Sequence, residues 1–259
     1  MSDGTGGFDA LSGADEGGVP ATPPPYGIRT MGPRPPNGAT RMVLVRHGEA
    51  VCNVSGVCGG RRGCEGLTER GRRQVIGLRD RLLATGELAG TDALYASVLP
   101  RAVETAELLA PALAVAGSGR GPEVIEECGL CELHPGEADG LSWAEFTDRF
   151  GTLDWDTDPD QPIAPGGESW TGFVNRVAES LDLVAADHPG QLVVVACHAG
   201  VVEASLLAKL PVAGGLRGAR LQLRTEHASM TTWEIDGDRW RLLGYNDGNG
   251  HPATPVQQA

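Results

Sequence analysis

Two short apolar runs in this chain end on histidine. Met42-Val43-Leu44-Val45 runs into Arg46-His47-Gly48-Glu49, with Asn53 following, and Leu192-Val193-Val194-Val195-Ala196 runs into Cys197-His198-Ala199-Gly200. A lone histidine at a strand end is more often a satisfied structural residue than a functional one. Two at like positions, with arginines nearby, reverse that reading, because a guanidinium grips phosphate oxygens through paired N–H groups. Arg101 joins the set. It falls on the first turn of a helix in Ser97-Val98-Leu99-Pro100-Arg101, where Pro100 suits the first helical position. A helical pattern also begins directly after His198, so free backbone N–H groups point at whatever sits beside that ring.

Residues of this kind need a rigid edge to hold them together. The two apolar runs suit central strands of a parallel sheet covered on both faces. Asp92-Ala93-Leu94-Tyr95-Ala96 is a third strand candidate and Val124-Ile125 a fourth. Between them, Val75, Leu78 and Leu82 recur at helical spacing after Thr68, which can cap. Ala102, Ala106 and Leu109 line one face after Pro100, and Phe173, Val177, Leu181 and Val184 mark a long helix starting near Glu168. Strands alternating with helices imply right-handed crossovers and an α/β fold, a three-layer α/β/α sandwich with a mostly parallel sheet. In such sheets the reactive groups collect at the carboxyl ends of the strands. Met230 to Ile235 and Arg239 to Leu243 flank Asp236-Gly237-Asp238, which predicts an antiparallel hairpin at the sheet edge.

The 259 residues carry a net charge of −13, and Lys209 is the only lysine among 21 basic residues. An acidic body disfavours nucleic acid and anionic membrane as partners. Without a membrane-length apolar stretch or a signal-peptide pattern, a cytoplasmic location is expected. Residues 1–38 read as a disordered Gly/Pro-rich tail, with Met31 or Met42 as alternative starts. Residues 39–248 read as the folded domain and 249–259 as a flexible tail, the polar character beginning at Asn246.

Arg46-His47-Gly48-Glu49 with Asn53, Leu67-Thr68-Glu69-Arg70-Gly71 with Gln74, Ser97 with Arg101 and Thr105-Ala106, and Cys197-His198-Ala199-Gly200 together resemble the histidine phosphatase superfamily. That superfamily includes the cofactor-dependent phosphoglycerate mutases and many small-molecule phosphatases. Leu130-Cys131-Glu132 with Gly136 and Gly140 is similar to its acid-bearing loop, and Pro165-Gly166-Gly167-Glu168-Ser169 to its Gly-Glu-Ser helix start. The resemblance spans about residues 41 to 245. It implies a phosphomonoesterase in which His47 attacks phosphorus and carries the group as phosphohistidine. Arg46, Arg101 and a protonated His198 would bind the phosphate oxygens, and Glu132 would protonate the leaving oxygen and then take a proton from water. Asn53 and Ala199 are further substrate-binding candidates. No cofactor is implied, and a homodimer is compatible with this reading.

Within the family a modest span between Glu132 and His198 favours a phosphatase over the alternative, a mutase. A non-catalytic binding module would be expected to lack His47, Arg101 or Glu132, and all three are present. The loop from Val54 to Gly66 carries Arg61 and Arg62 but no aromatic, and Ala138 stands where the family often has a bulky aromatic. These features predict a pocket poor in aromatic lining, with Arg61 and Arg62 binding a small, polar, multiply anionic phosphorylated metabolite. Asp154-Trp155-Asp156-Thr157-Asp158 reads as a solvated acidic loop, because Pro159 replaces the glycine a calcium loop requires. The six cysteines include a Cys128-x-x-Cys131 pair, but no four-ligand zinc spacing. Reduced, buried thiols and no metal are expected.

Overall fold

A computed structural model describes Pro35 and residues 38–115, 120–209 and 223–248. The predicted tails at 1–38 and 249–259 lie outside these residues, Pro35 and Gly38 apart. Six strands form one sheet: β1 Thr40–Arg46, β2 Ala93–Ala96, β3 Val124–Glu126, β4 Leu192–Cys197, β5 Met230–Asp236 and β6 Arg239–Asp247. Their order is β3-β2-β4-β1-β5-β6, with β3, β2, β4 and β1 mutually parallel and β5 and β6 antiparallel at one edge.

Alternation along the two central strands builds both faces. Val43 and Val45 of β1, with Leu192 and Val194 of β4, pack on α2 (Glu69–Thr85) and α3 (Pro100–Leu113). Met42, Leu44, Val193 and Val195 pack on α5 (Trp170–Asp187) and α6 (Ala199–Lys209). The result is the expected α/β/α sandwich. The caps agree with the sequence: Thr68 Oγ1 accepts the Gly71 N–H at 2.9 Å, and Ser169 Oγ accepts the Gly172 N–H at 3.1 Å.

Two short helices were not expected. α1 (Val51–Ser55) follows the first histidine, and α4 (Trp143–Phe150) starts on a capping box formed by Ser142 and Glu145. The segment around α4 has its own small core of Cys58, Ala138, Phe146, Ile163 and Ala164. The hairpin is longer than its apolar pattern suggested. β6 continues to Asp247, where Arg81 binds the Asp247 carboxylate through two N–H groups at 2.9 and 2.7 Å. Asn246 Oδ1 accepts the Glu226 N–H at 2.6 Å. Polar pairing, invisible to a hydrophobic pattern, thus holds residues read as loose. No described helix is long and apolar enough to cross a membrane.

Candidate active site

Strand register brings the two histidines together. Arg46 pairs with Cys197 across β1 and β4, and Ala96 with Ala196 across β2 and β4, so His47, His198 and Ser97 leave the sheet at one level. The His47 and His198 rings lie 5.1 Å apart, nearly edge to face, and both are buried. His47 Nδ1 is 2.6 Å from the Gly48 carbonyl oxygen. A carbonyl only accepts, so Nδ1 carries the proton and Nε2 presents its lone pair. Burial, then Arg101 and Arg46, push the His47 pKa well below 6.5 and keep the ring neutral at pH 7.

Arg101 stands at that lone pair. Its Nε–H donates to His47 Nε2 at 3.2 Å and its Nη1 to the Gly59 carbonyl at 2.7 Å. The turn after β1 is held by Gln74, whose Oε1 accepts the Glu49 N–H at 2.9 Å, and by Thr105, whose Oγ1 accepts the Gly48 N–H at 3.3 Å. Gly48 itself has no room for a side chain, since an added Cβ would fall 2.5 Å from the Gly71 carbonyl oxygen.

His198 is the second buried ring of the site. Burial, followed by the charges of Arg101 and the neighbouring groups, drives its pKa well below 6.5. Its Nε2 lies 2.8 Å from Ser97 Oγ, and a phosphate dianion bound beside the ring would act in the opposite direction and favour the cation. Its Nδ1 and the Nε of Arg46 are buried with no hydrogen-bond partner among the described residues. Leaving such groups unpaired costs about 1–3 kcal/mol each, and a phosphate oxygen satisfies an N–H of either kind.

Glu132 reaches the same cavity from the loop after β3. Its carboxylate accepts the Gly200 N–H at 3.1 Å and the Leu133 N–H at 3.2 Å. The loop is fixed from behind by Arg176, which pairs with Glu168 at 2.7 and 2.8 Å and donates to the Gly129 carbonyl at 2.8 Å. Burial opposes the Glu168 charge, but Arg176 and the His134 N–H outweigh it and hold its pKa below the usual value.

A cavity of about 470 Å³ opens onto most of these groups, while His198 is fully buried and is not among its lining residues. Arg46, His47, Asn53, Arg101, Glu132 and Ala199 all line it, so the structure gathers these sequence candidates in one place. Arg61 and Arg62 are not among its lining residues. Arg62 is exposed and leans on Asp139, which accepts the backbone N–H groups of Arg62 and Gly63 at 2.9 Å. The expectation of few aromatics also fails: Trp143, Trp155 and Trp170 line the cavity with Leu133, Leu153 and Ile163. They come from α4, the segment leading to α5 and the first residue of α5, and not from the 54–66 loop or the turn at Ala138. The acidic run has a local explanation, since Asp154 caps its own turn through Thr157 N at 3.3 Å and Oγ1 at 2.7 Å, and Trp155 packs 5.9 Å from Trp170.

His227 was missed. Because β5 is antiparallel to β1, with Met230 opposite Val45, the residues entering β5 arrive beside Arg46. His227 Nε2 accepts from Arg46 Nη2 at 3.0 Å, and Arg46 Nη1 donates to the Thr225 carbonyl. Asn53 Oδ1, which accepts the Ala50 N–H at 3.0 Å, lies 3.2 Å from the same His227 nitrogen. Burial and then Arg46 and Arg70 lower the His227 pKa to about 3. The unfolded chain takes up this proton near pH 6.5 and the folded one refuses it. The stabilisation is therefore full above pH 6.5 and is lost as pH falls from there toward about 3. In urea titrations, His227→Gln is expected to flatten the loss of stability between pH 6.5 and 5, by at most about 1.4 kcal/mol per pH unit. An unchanged slope would contradict this.

A buried imidazole flanked by arginines, with a carboxylate in the same cavity at the carboxyl edge of an α/β sheet, is the arrangement expected of a histidine-based phosphatase. The sequence pattern of the histidine phosphatase superfamily (branch 1) matches residues 42–248, and the chain belongs to that superfamily. It is 32% identical over 200 residues to a metal-independent phosphoserine phosphatase of Arabidopsis thaliana, covering 76% of this chain and 80% of that protein. A bifunctional protein of Mycobacterium tuberculosis is 31% identical over 237 residues, which is 89% of this chain but only 61% of the relative. Among solved structures, a mycobacterial glucosyl-3-phosphoglycerate phosphatase in complex with VO3 is similar with a TM-score of 0.63. It shares 28% identity over 80% of this chain and 99% of that one.

Gly200 links the acid to the second histidine segment. A Cβ there would fall 2.1 Å from Glu132 Oε1 and 3.1 Å from Phe173 Cζ. Gly200→Ala is expected to displace the acid and lower kcat/KM on an alkyl phosphate about 100-fold, as a shift of about 1 Å does in a positioned site. Full activity in this variant would show that Glu132 is not held as described.

Proposed function

We propose that the protein hydrolyses a small phosphomonoester through a phosphohistidine on His47, with no metal ion taking part in the chemistry. The observation that carries this reading is the His47 Nε2 lone pair, defined by the Nδ1–H bond to Gly48 O and faced by Arg101. His47 Nε2 bonds to phosphorus as the ester P–O bond breaks, and Glu132 gives its proton to the leaving oxygen. A water then attacks phosphorus, Glu132 takes its proton, and the P–N bond breaks to restore the imidazole. Arg46 and Arg101 supply N–H donors to the oxygens on which charge is spread during transfer, and His198 adds one from Nδ1 when the ring takes up a proton beside the bound phosphate.

The alcohol part of the substrate faces Trp143, Trp155 and Trp170. This wall favours an ester whose alcohol presents an alkyl or ring face, in place of the multiply anionic compound the loop composition suggested. The names of the relatives, a phosphoserine phosphatase and a glucosyl-3-phosphoglycerate phosphatase, agree with a small phosphorylated metabolite. A panel of aryl, alkyl, sugar, serine and glycerate phosphates, assayed with a chelator present, tests the reading. Inorganic phosphate is expected from several esters, fastest from those with a ring or alkyl face, and Trp155→Ala is expected to erase that preference. Isomerised phosphoglycerate without free phosphate would instead indicate a mutase, and a metal requirement that persists in Cys128→Ser would overturn the mechanism.

A further inference from the structure

Cys128, Cys131 and His134 meet on the loop that carries Glu132, and we propose that these three side chains bind one zinc ion. Their ligand atoms all lie within 4.8 Å of one another. Cys128 and Cys131 Sγ are 3.8 Å apart, and Cys128 Sγ is 3.7 Å from His134 Nε2. Zinc bonds of about 2.3 Å to sulfur and 2.0 Å to nitrogen, set at tetrahedral angles, place such atoms about 3.8 and 3.6 Å apart. The observed spacing is therefore that of two edges of a zinc tetrahedron. The third edge, between Cys131 and His134, lies within 4.8 Å and would have to shorten by at most about 1.2 Å on binding.

The surroundings suit the metal as well. The turn Cys128–Leu130, closed by the Cys131 N–H to Cys128 O bond of 3.0 Å, brings both sulfurs to one side of the loop. His134 Nδ1 faces Glu168 Oε1 at 3.6 Å, which favours the tautomer with its proton on Nδ1 and its Nε2 lone pair toward the sulfurs. A carboxylate behind a ligating imidazole is the usual orienting partner at zinc. Glu168 is in turn clamped by Arg176, which also donates to the Gly129 and Cys131 carbonyls, so the loop is shaped without the ion. Cys131 is buried while Cys128 and His134 are half-buried, which leaves the ion a route from solvent and a fourth position for water. On binding, both thiols release protons, two Zn–S bonds and one Zn–N bond form, and nothing is oxidised or reduced.

None of the three ligands lines the catalytic cavity, whereas Glu132, Leu133 and Pro135, their neighbours in sequence, all do. The ion would thus sit behind the acid loop and brace it, away from the phosphate. Ser97 Oγ donates to Cys131 Sγ at 3.4 Å and also lies 2.8 Å from His198 Nε2, so the brace extends to the second histidine. This replaces the expectation of metal-free thiols: the cysteine spacing lacks a second pair, and the third ligand is a histidine three residues further on.

The test uses the full-length protein, stripped of metal under reductant and then titrated with zinc against a chromophoric chelator, with cobalt as a spectroscopic substitute. One zinc per chain is expected, together with a thiolate-to-cobalt charge-transfer band, the intense visible bands of tetrahedral cobalt and a higher Tm with zinc. Cys128→Ser and His134→Ala are expected to weaken zinc binding at least about 100-fold, and Cys52→Ser to leave it unchanged. Cys128 and His134 are half-buried, so circular dichroism can establish that both variants fold. Substoichiometric zinc in the parent protein would overturn the proposal, as would zinc binding that survives both substitutions. So would a Cys128–Cys131 disulfide formed under mild oxidation in a protein that takes up no zinc.

Discussion

Replacing His47 by alanine is expected to lower kcat/KM for every phosphate ester by at least about 10,000-fold, the scale seen when a covalent nucleophile is removed. The ring makes one hydrogen bond with its own turn, through Nδ1, and accepts one from Arg101. Gln74 and Thr105 hold that turn independently, so the fold survives the change. Arg46 and Arg101 remain, and inorganic phosphate should still bind within about tenfold of the parent affinity. Activity retained to within about tenfold would remove His47 from the chemistry. Loss of phosphate binding together with a collapsed Tm would mean only that the variant had unfolded, and His47→Gln would then be the informative substitution.

The second large effect concerns Glu132, and its size is expected to depend on the leaving group. For an alkyl phosphate the departing oxygen needs a proton, so Glu132→Ala should lower kcat/KM by about 1,000-fold, within the range of general acid catalysis. Nitrophenolate leaves without one, and kcat/KM for p-nitrophenyl phosphate should fall less than about tenfold. Hydrolysis of the phosphohistidine still lacks its base, however. Turnover of the nitrophenyl ester should therefore show a burst of about one nitrophenol per active site followed by a slow phase, as expected when a covalent intermediate accumulates. Equal losses on both esters, with no burst, would assign Glu132 a binding role. The geometry already separates it from Glu126, Glu127 and Glu137, because of the four only Glu132 lines the cavity and accepts the Gly200 N–H.

What could be read in the sequence divides along physical lines. β1 and β4 were legible because strands covered on both faces are continuous apolar runs, and the histidines that follow them were legible because register carries both to one edge. Arg101 was legible because Pro100 fixes a helix start. α4 was overlooked although Ser142-Trp143-Ala144-Glu145 is a capping-box spacing, and with it went Trp143 and the wall it shares with Trp155 and Trp170. Arg61 and Arg62 are not among the lining residues of the cavity, and Asp139 binds the backbone of Arg62 and Gly63, a pairing that loop composition does not reveal. His227 has no local signature at all and follows only from the antiparallel pairing of β5 with β1. The lowered pKa of His198 likewise depends on burial beside Arg101, which no spacing reveals.

The central claim is the covalent intermediate on His47. The most direct measurement mixes the enzyme with a 32P-labelled ester, quenches in alkali within one turnover and maps the labelled peptide. The account predicts label that is stable to base and labile to acid, carried by the peptide containing His47, and enriched in Glu132→Ala because its hydrolysis is slowed. Label on another residue, label stable to acid, or phosphate release with no labelled protein at any time within the turnover would contradict it.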